Sequence, residues 1–311
     1  MIKDKQLVDE LYGNTESPHV LKDPDTAHLT IHHDEVIGMH SVPGLNIDTN
    51  KIEDGIEVNV KLNKGVRIDK QVHLCFGMFP EKGIQKIVMD VDIGTNSYIS
   101  LLAHCIFPFA VDVQHIMDAN IRIGENAKYK YLEKHVHSPR GGVKVIPKAK
   151  VNIGRNAEFK TEFELVKGRV GLIDIDYETF CGENAVVEML ARISGHDDDE
   201  IKIRESAYLE GKNARGALTS KIAVRGRARA EIYNKMTASA PFARGHVDCK
   251  EIVQDDAVAT AIPIVEVHHP KAHITHEAAI GSVDNKQLET LMSRGMSEDD
   301  AVDLIIEGML S

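Results

Sequence analysis

A chain of 311 residues with no Trp, few Phe and Tyr, and a formal net charge of −11 can bury a sizeable core, as one elongated domain or two compact ones. The acidic balance and the scarcity of aromatic rings argue against a nucleic-acid-binding surface, which needs a basic footprint and stacking platforms. Four widely spaced Cys with no CxxC pair exclude a disulfide framework or a zinc ribbon and suit a reducing cytoplasm.

The first ten residues are charged throughout and do not read as a signal peptide. No apolar run reaches the length of a membrane span. Ile2, Leu7, Leu11 and Tyr12 recur at helical spacing and predict a helix over 1–12, stopped by Gly13-Asn14. The segment 14–54 is less regular, although His28-Leu-Thr-Ile-His-His alternates as a strand does. Residues 1–55 are therefore assigned to a helical and irregular N-terminal region. From Gly55-Ile-Glu-Val-Asn-Val-Lys-Leu onward, apolar and polar residues alternate at period two in short runs, the mark of half-buried strands.

The breaks between those runs repeat. Gly124-Glu-Asn-Ala127, Gly154-Arg-Asn-Ala157, Gly182-Glu-Asn-Ala185 and Gly211-Lys-Asn-Ala214 start 30, 28 and 29 residues apart. A fixed period of this size marks a solenoid, whose stacked units bury a core that no single unit could bury alone. Gly-x-Asn supplies residues that tolerate positive φ at a sharp bend, and the Ala after it is small enough to tuck inside the corner. The expected fold is mainly β, a parallel β-helix over 56–280, in preference to an ordinary sandwich. Past Gly281 the pattern turns helical. Leu288, Leu291 and Met292 share one face, and Ser297-Glu-Asp-Asp300 opens a second helix with a capping box. Read from pattern alone, this segment, 281–311, caps the solenoid end.

The tail also carries a motif. His276-Glu-Ala-Ala-Ile-Gly-Ser-Val-Asp-Asn-Lys-Gln-Leu, then Met292-Ser-Arg-Gly-Met-Ser-Glu-Asp-Asp-Ala-Val and Ile305-Ile-Glu-Gly308, resembles the C-terminal signature of the SufB/SufD family, the scaffold subunits of an iron–sulfur cluster assembly machine. The resemblance covers roughly 56–311 and looks like that of a short, SufB-like member. It implies a β-helix core, a SufC-like ABC-type ATPase docked through residues 284–310, and pairing of two scaffold subunits through their β-helices. His276-Glu277-Ala278 resembles SufB, and Ile280-Gly281 resembles the SufD ending, so a homodimer is expected in place of a heterodimer.

The same resemblance implies a cluster site. Such clusters take soft thiolates, with imidazole or carboxylate as replacements. His276 and Glu277 match family positions linked to cluster assembly. Where SufB-type members place a Cys before the Pro matching Pro263, this chain has Ala257, so Cys249 is the substitute thiol. His273 shares strand parity with Glu277. A strict strand sends His276 and Glu277 to opposite faces, so both serve one site only at a strand break or a dimer interface. Read without the resemblance, Glu277 is a solvated strand residue, Cys75, Cys105 and Cys181 are buried core residues, and His268 and His269 belong to a turn before Pro270. The expected function is a non-catalytic cytoplasmic scaffold for a transient iron–sulfur cluster. The alternatives are a SufD-like structural partner that holds no cluster and a β-helix polysaccharide-active enzyme; the absence of Trp counts against the enzyme. No flavin motif is recognisable.

Overall fold

The computed structural model describes residues 13, 20 and 23–311; the helix predicted over 1–12 lies outside them. Two ten-stranded sheets face each other. In chain order, β1 (His28–His32) pairs antiparallel with β2 (Glu35–His40), and β3 (Leu45–Ile52) with β4 (Gly55–Leu62). From there the chain alternates between the sheets. β5 (Val72–Gly77), β7 (Tyr98–Phe107), β9 (Lys128–His137), β11 (Glu158–Lys167), β13 (Val186–Gly195), β15 (Arg215–Val224), β17 (Arg244–Val253) and β20 (His273–Gly281) run parallel in the first sheet. β6 (Lys82–Ile93), β8 (Asp112–Ile123), β10 (Val143–Ile153), β12 (Leu172–Cys181), β14 (Glu200–Leu209) and β16 (Arg229–Ala238) follow β4 in the second, where β18 (Val258–Ala261) and β19 (Ile264–Val267) both pair with β16. The result is a parallel β-solenoid of about eight coils. Among the described residues, no helix is long and apolar enough to cross a membrane.

Alternation along each strand builds the core. In β8, Val113, Met117, Ala119, Ile121 and Ile123 point inward while Asp118 and Arg122 face out. Parallel register then stacks like on like from coil to coil, as in the Tyr129–Phe159 ring pair inside and the Phe180–Tyr208 pair outside.

The repeated turns divide their work. Asn126, Asn156, Asn184 and Asn213 hold the left-handed backbone, with φ of 58°, 55°, 54° and 60°. Their carboxamides form a ladder that starts one coil earlier, at Asn96, each Nδ2–H donating to the Oδ1 of the neighbouring coil at 2.8–2.9 Å. The glycines serve close approach instead: a Cβ on Gly211 would lie 2.0 Å from the Gly182 carbonyl carbon. Ala127, Ala157, Ala185 and Ala214 are fully buried at the corners. The ladder stops at Phe242, which holds the same left-handed backbone (φ 62°) but has no carboxamide.

The ends differ from the sequence-based reading in where the sheets begin and in where the C-terminal helices pack. The sheets begin inside the region read as irregular: β1–β3 close the N-terminal end as two antiparallel hairpins, because β2 and β3 return alongside β1 and β4. At the other end α1 (Asn285–Met292) and α2 (Glu298–Leu310) do not cover the last coil. Instead α2 packs Val302, Ile306 and Leu310 against Ala223, on the outward side of β15, with partly buried Ile252 alongside. Arg225 pairs with Asp303, and Arg192 donates to the Leu310 carbonyl at 2.7 Å.

Candidate functional site

The residues expected to act together at the C-terminal end are divided by strand alternation. Cys249 sits on β17 and is fully buried. Its register partners are Ser220 on β15 and Ala278 on β20, and Asn234 Nδ2–H donates to its sulfur at 3.7 Å. Burial pushes its thiol pKa up. His276 pairs with Val247, two positions before Cys249, so it faces the same inward side. Glu277 pairs with Asp248 and His273 with Arg244, both on the outward side. The fold brings Cys249 and His276 onto one face and leaves Glu277 and His273 on the other. All three β20 residues are exposed, because no further coil follows β20. His269 lies at the bend before Pro270, as its sequence suggests.

Around Cys249 the interior is polar. Glu251 accepts from the Ser220 hydroxyl at 3.4 Å, and burial raises its pKa to about 7. Glu205 on β14, beside Asn234 in register, is enclosed, and burial raises its pKa to about 8. Its Oε2 is buried with no hydrogen-bond partner among the described residues.

A second polar cluster lies deep in the N-terminal half, at a cysteine read as ordinary core. Cys105 on β7 stacks on His135 of β9, and Glu133 is one inward position before it. His115 reaches across from β8 in the opposite sheet. Cys105 Sγ is 3.6 Å from His115 Nε2 and 3.8 Å from Glu133 Oε1. His135 bridges Glu133 Oε1 at 2.7 Å and His137 Nε2 at 3.1 Å, and His137 Nδ1 is 3.0 Å from the Arg169 carbonyl.

That chain fixes its own protons. A carbonyl only accepts, so His137 Nδ1 donates, and neutral His137 accepts at Nε2 from His135 Nδ1–H. One proton is then shared between His135 Nε2 and Glu133 Oε1. Burial lowers the pKa of His115, His135 and His137 to about 3 and raises that of Glu133. Burial, then the neighbouring Glu133 carboxylate, pushes the Cys105 thiol well up. Burial thus disfavours charge throughout the cluster, which is walled by Phe107 and Phe163; a water-sized cavity of about 20 Å³ is lined by Met117 and Tyr131 among others.

Sequence reasoning missed this site because its members are far apart in sequence and come from both sheets. The signal that could have found it was parity. His115 falls on the inward phase of β8, and Glu133, His135 and His137 all fall on that of β9.

The sequence also has counterparts. Residues 82–309 match the family described as SUF system FeS cluster assembly, SufBD core domain. A protein of Methanocaldococcus jannaschii named as an iron–sulfur cluster assembly SufBD family protein is 35% identical over 306 residues, 98% of this chain and 96% of that one. A protein of the same description from Pyrococcus horikoshii is 33% identical over 309 residues, 99% of this chain and 94% of its own. A further Pyrococcus horikoshii protein so described is 29% identical over 264 residues, 82% of this chain and 57% of that protein.

Proposed function

Because this chain belongs to the SufBD family and so to iron–sulfur cluster assembly, we propose that it is a non-catalytic scaffold that works as a homodimer with a SufC-like ABC-type ATPase. The observation that carries this reading is the open C-terminal edge. β20 ends the first sheet and β18 and β19 end the second, and Val258, Ile264, Val267 and Ile280 are exposed there, the last two at 47%. An unpaired sheet edge with apolar side chains is a template for another strand. A second copy meeting it would form an isologous interface and double the His273, His276 and Glu277 donors at one place. The inward pair Cys249 and His276, supplemented from the second copy, would hold the nascent cluster.

The ATPase contact is assigned to residues 284–310. α1 has no buried residue, and Met292 and Leu304 are exposed at 41% and 45%, an unpartnered apolar face on a helical hairpin.

One observation favours a structural, SufD-like role instead: Cys249 is fully buried and β18–β20 contain no thiol. Anaerobic reconstitution with ferrous iron and sulfide separates the two. The scaffold reading expects a visible cluster band in the wild type that is lost in Cys249→Ser and His276→Ala and weakened in Glu277→Ala. No band in the wild type, even with the ATPase subunit present, leaves the structural role.

A further inference from the structure

From the Cys105 cluster we infer that Cys105, His115 and Glu133 form a binding site for a single divalent transition-metal ion, enclosed within the solenoid and separate from the C-terminal edge. One ligand atom from each of the three residues lies within 4.8 Å of the others, and all three residues are buried. Glu133 Oε2 and His115 Nδ1 are buried with no hydrogen-bond partner among the described residues. Such orphans carry a desolvation cost that a fully apolar core would avoid. A coordinated ion would give Glu133 Oε2 the partner that the core packing does not, with His115 ligating through Nε2, the nitrogen that faces Cys105.

The donor set selects the ion class. Thiolate, imidazole and carboxylate together suit Fe(II), Co(II) or Zn(II) and not Mg²⁺ or Ca²⁺, which take oxygen ligands. Three protein ligands leave an open position in a four-coordinate ion, the pattern of sites that handle a further ligand. The ligands are themselves held by hydrogen-bonded neighbours. His135 bonds Glu133, His137 bonds His135, and the Arg169 carbonyl orients His137. Outer partners of this kind fix ligand tautomers and geometry. On coordination the Cys105 thiol proton is released to solvent, while the proton shared by Glu133 and His135 stays within that hydrogen bond. Because the ligands come from three successive strands and both sheets, the ion is taken up as the chain closes around it.

The site goes beyond the scaffold reading and does not need it. The test uses cobalt as the probe. The full chain is expressed in cobalt-supplemented minimal medium, freed of surface ions with a chelator, and read by metal analysis and absorption. About one Co(II) per chain is expected, with a thiolate-to-cobalt charge-transfer band and a raised melting temperature relative to metal-free protein. Cys105→Ser and Glu133→Gln lose the band, while Cys249→Ser and His276→Ala keep it. Circular dichroism of each variant shows whether it is folded, and the wild-type stoichiometry stands whether or not the variants fold. No retained cobalt in the wild type, or a band that follows Cys249 in place of Cys105, overturns the proposal. Cobalt held at Cys105 in a protein that reconstitutes no cluster upholds this site and removes the scaffold reading alone.

Discussion

Glu205 is a carboxyl enclosed by the core, and its charge has no compensating cation. Its pKa rises from 4.5 to about 8 on burial, so the folded chain binds a proton that the unfolded chain has already released. The sign follows from linkage. Stability from this group is complete below the unfolded value, declines as pH rises toward the folded value, and is flat beyond it. Glu205→Gln keeps the shape and removes the ionisation. Urea unfolding should show variant and wild type close at pH 4, with the variant more stable at pH 9 by on the order of a few kcal/mol. A constant difference across that range would mean Glu205 is not buried as a neutral acid. Glu251, raised to about 7, adds a decline of the same sign over a narrower pH range.

At the scale of the element, the Asn ladder and the glycine corners make distinct predictions. Asn156 both donates to Asn126 and accepts from Asn184, with its backbone in the left-handed region. Asn156→Ala loses two exposed hydrogen bonds and strains φ, costing about 2 kcal/mol. Asn156→Gly keeps the turn and costs about 1 kcal/mol, the ladder alone. Equal losses in denaturant melts would show that the carboxamides contribute nothing. Gly211→Ala must push aside the Gly182 backbone, so its loss should exceed both. The C-terminal helices behave differently, since α2 is anchored through Val302, Ile306 and Leu310 while Leu304 is exposed. Leu304→Glu should leave the melting temperature within about 2 °C and abolish co-purification with the proposed SufC-like ATPase. Retained binding would move the docking surface elsewhere.

For the molecule as a whole, the two ends of the solenoid are unequal. Hairpins return alongside the N-terminal end, while the C-terminal end stops on an exposed nine-residue edge strand. An unguarded edge of this length invites pairing. Val267→Lys with Ile280→Lys, both at exposed positions, should leave the fold intact and convert the proposed dimer to monomer in analytical ultracentrifugation. A wild type that sediments as a monomer at every concentration would remove the homodimer.

The solenoid, its period, the buried corner alanines and the two C-terminal helices are all legible in the order of residues. Each is a local pattern repeated in register, and a stack of equal coils converts sequence period directly into space. The same order displays the family motif around His276. Which side chains meet was settled by the folded chain. It placed Cys249 on the side of His276 through the register of β17 with β20, where strand parity along the chain had already divided His276 from Glu277 and His273. It laid α2 along the outward face of the first sheet, where Ala223 offered an apolar seat. It assembled Cys105, His115 and Glu133 from β7, β8 and β9, since contacts between facing sheets depend on how coils enclose the interior, which no spacing along the chain encodes.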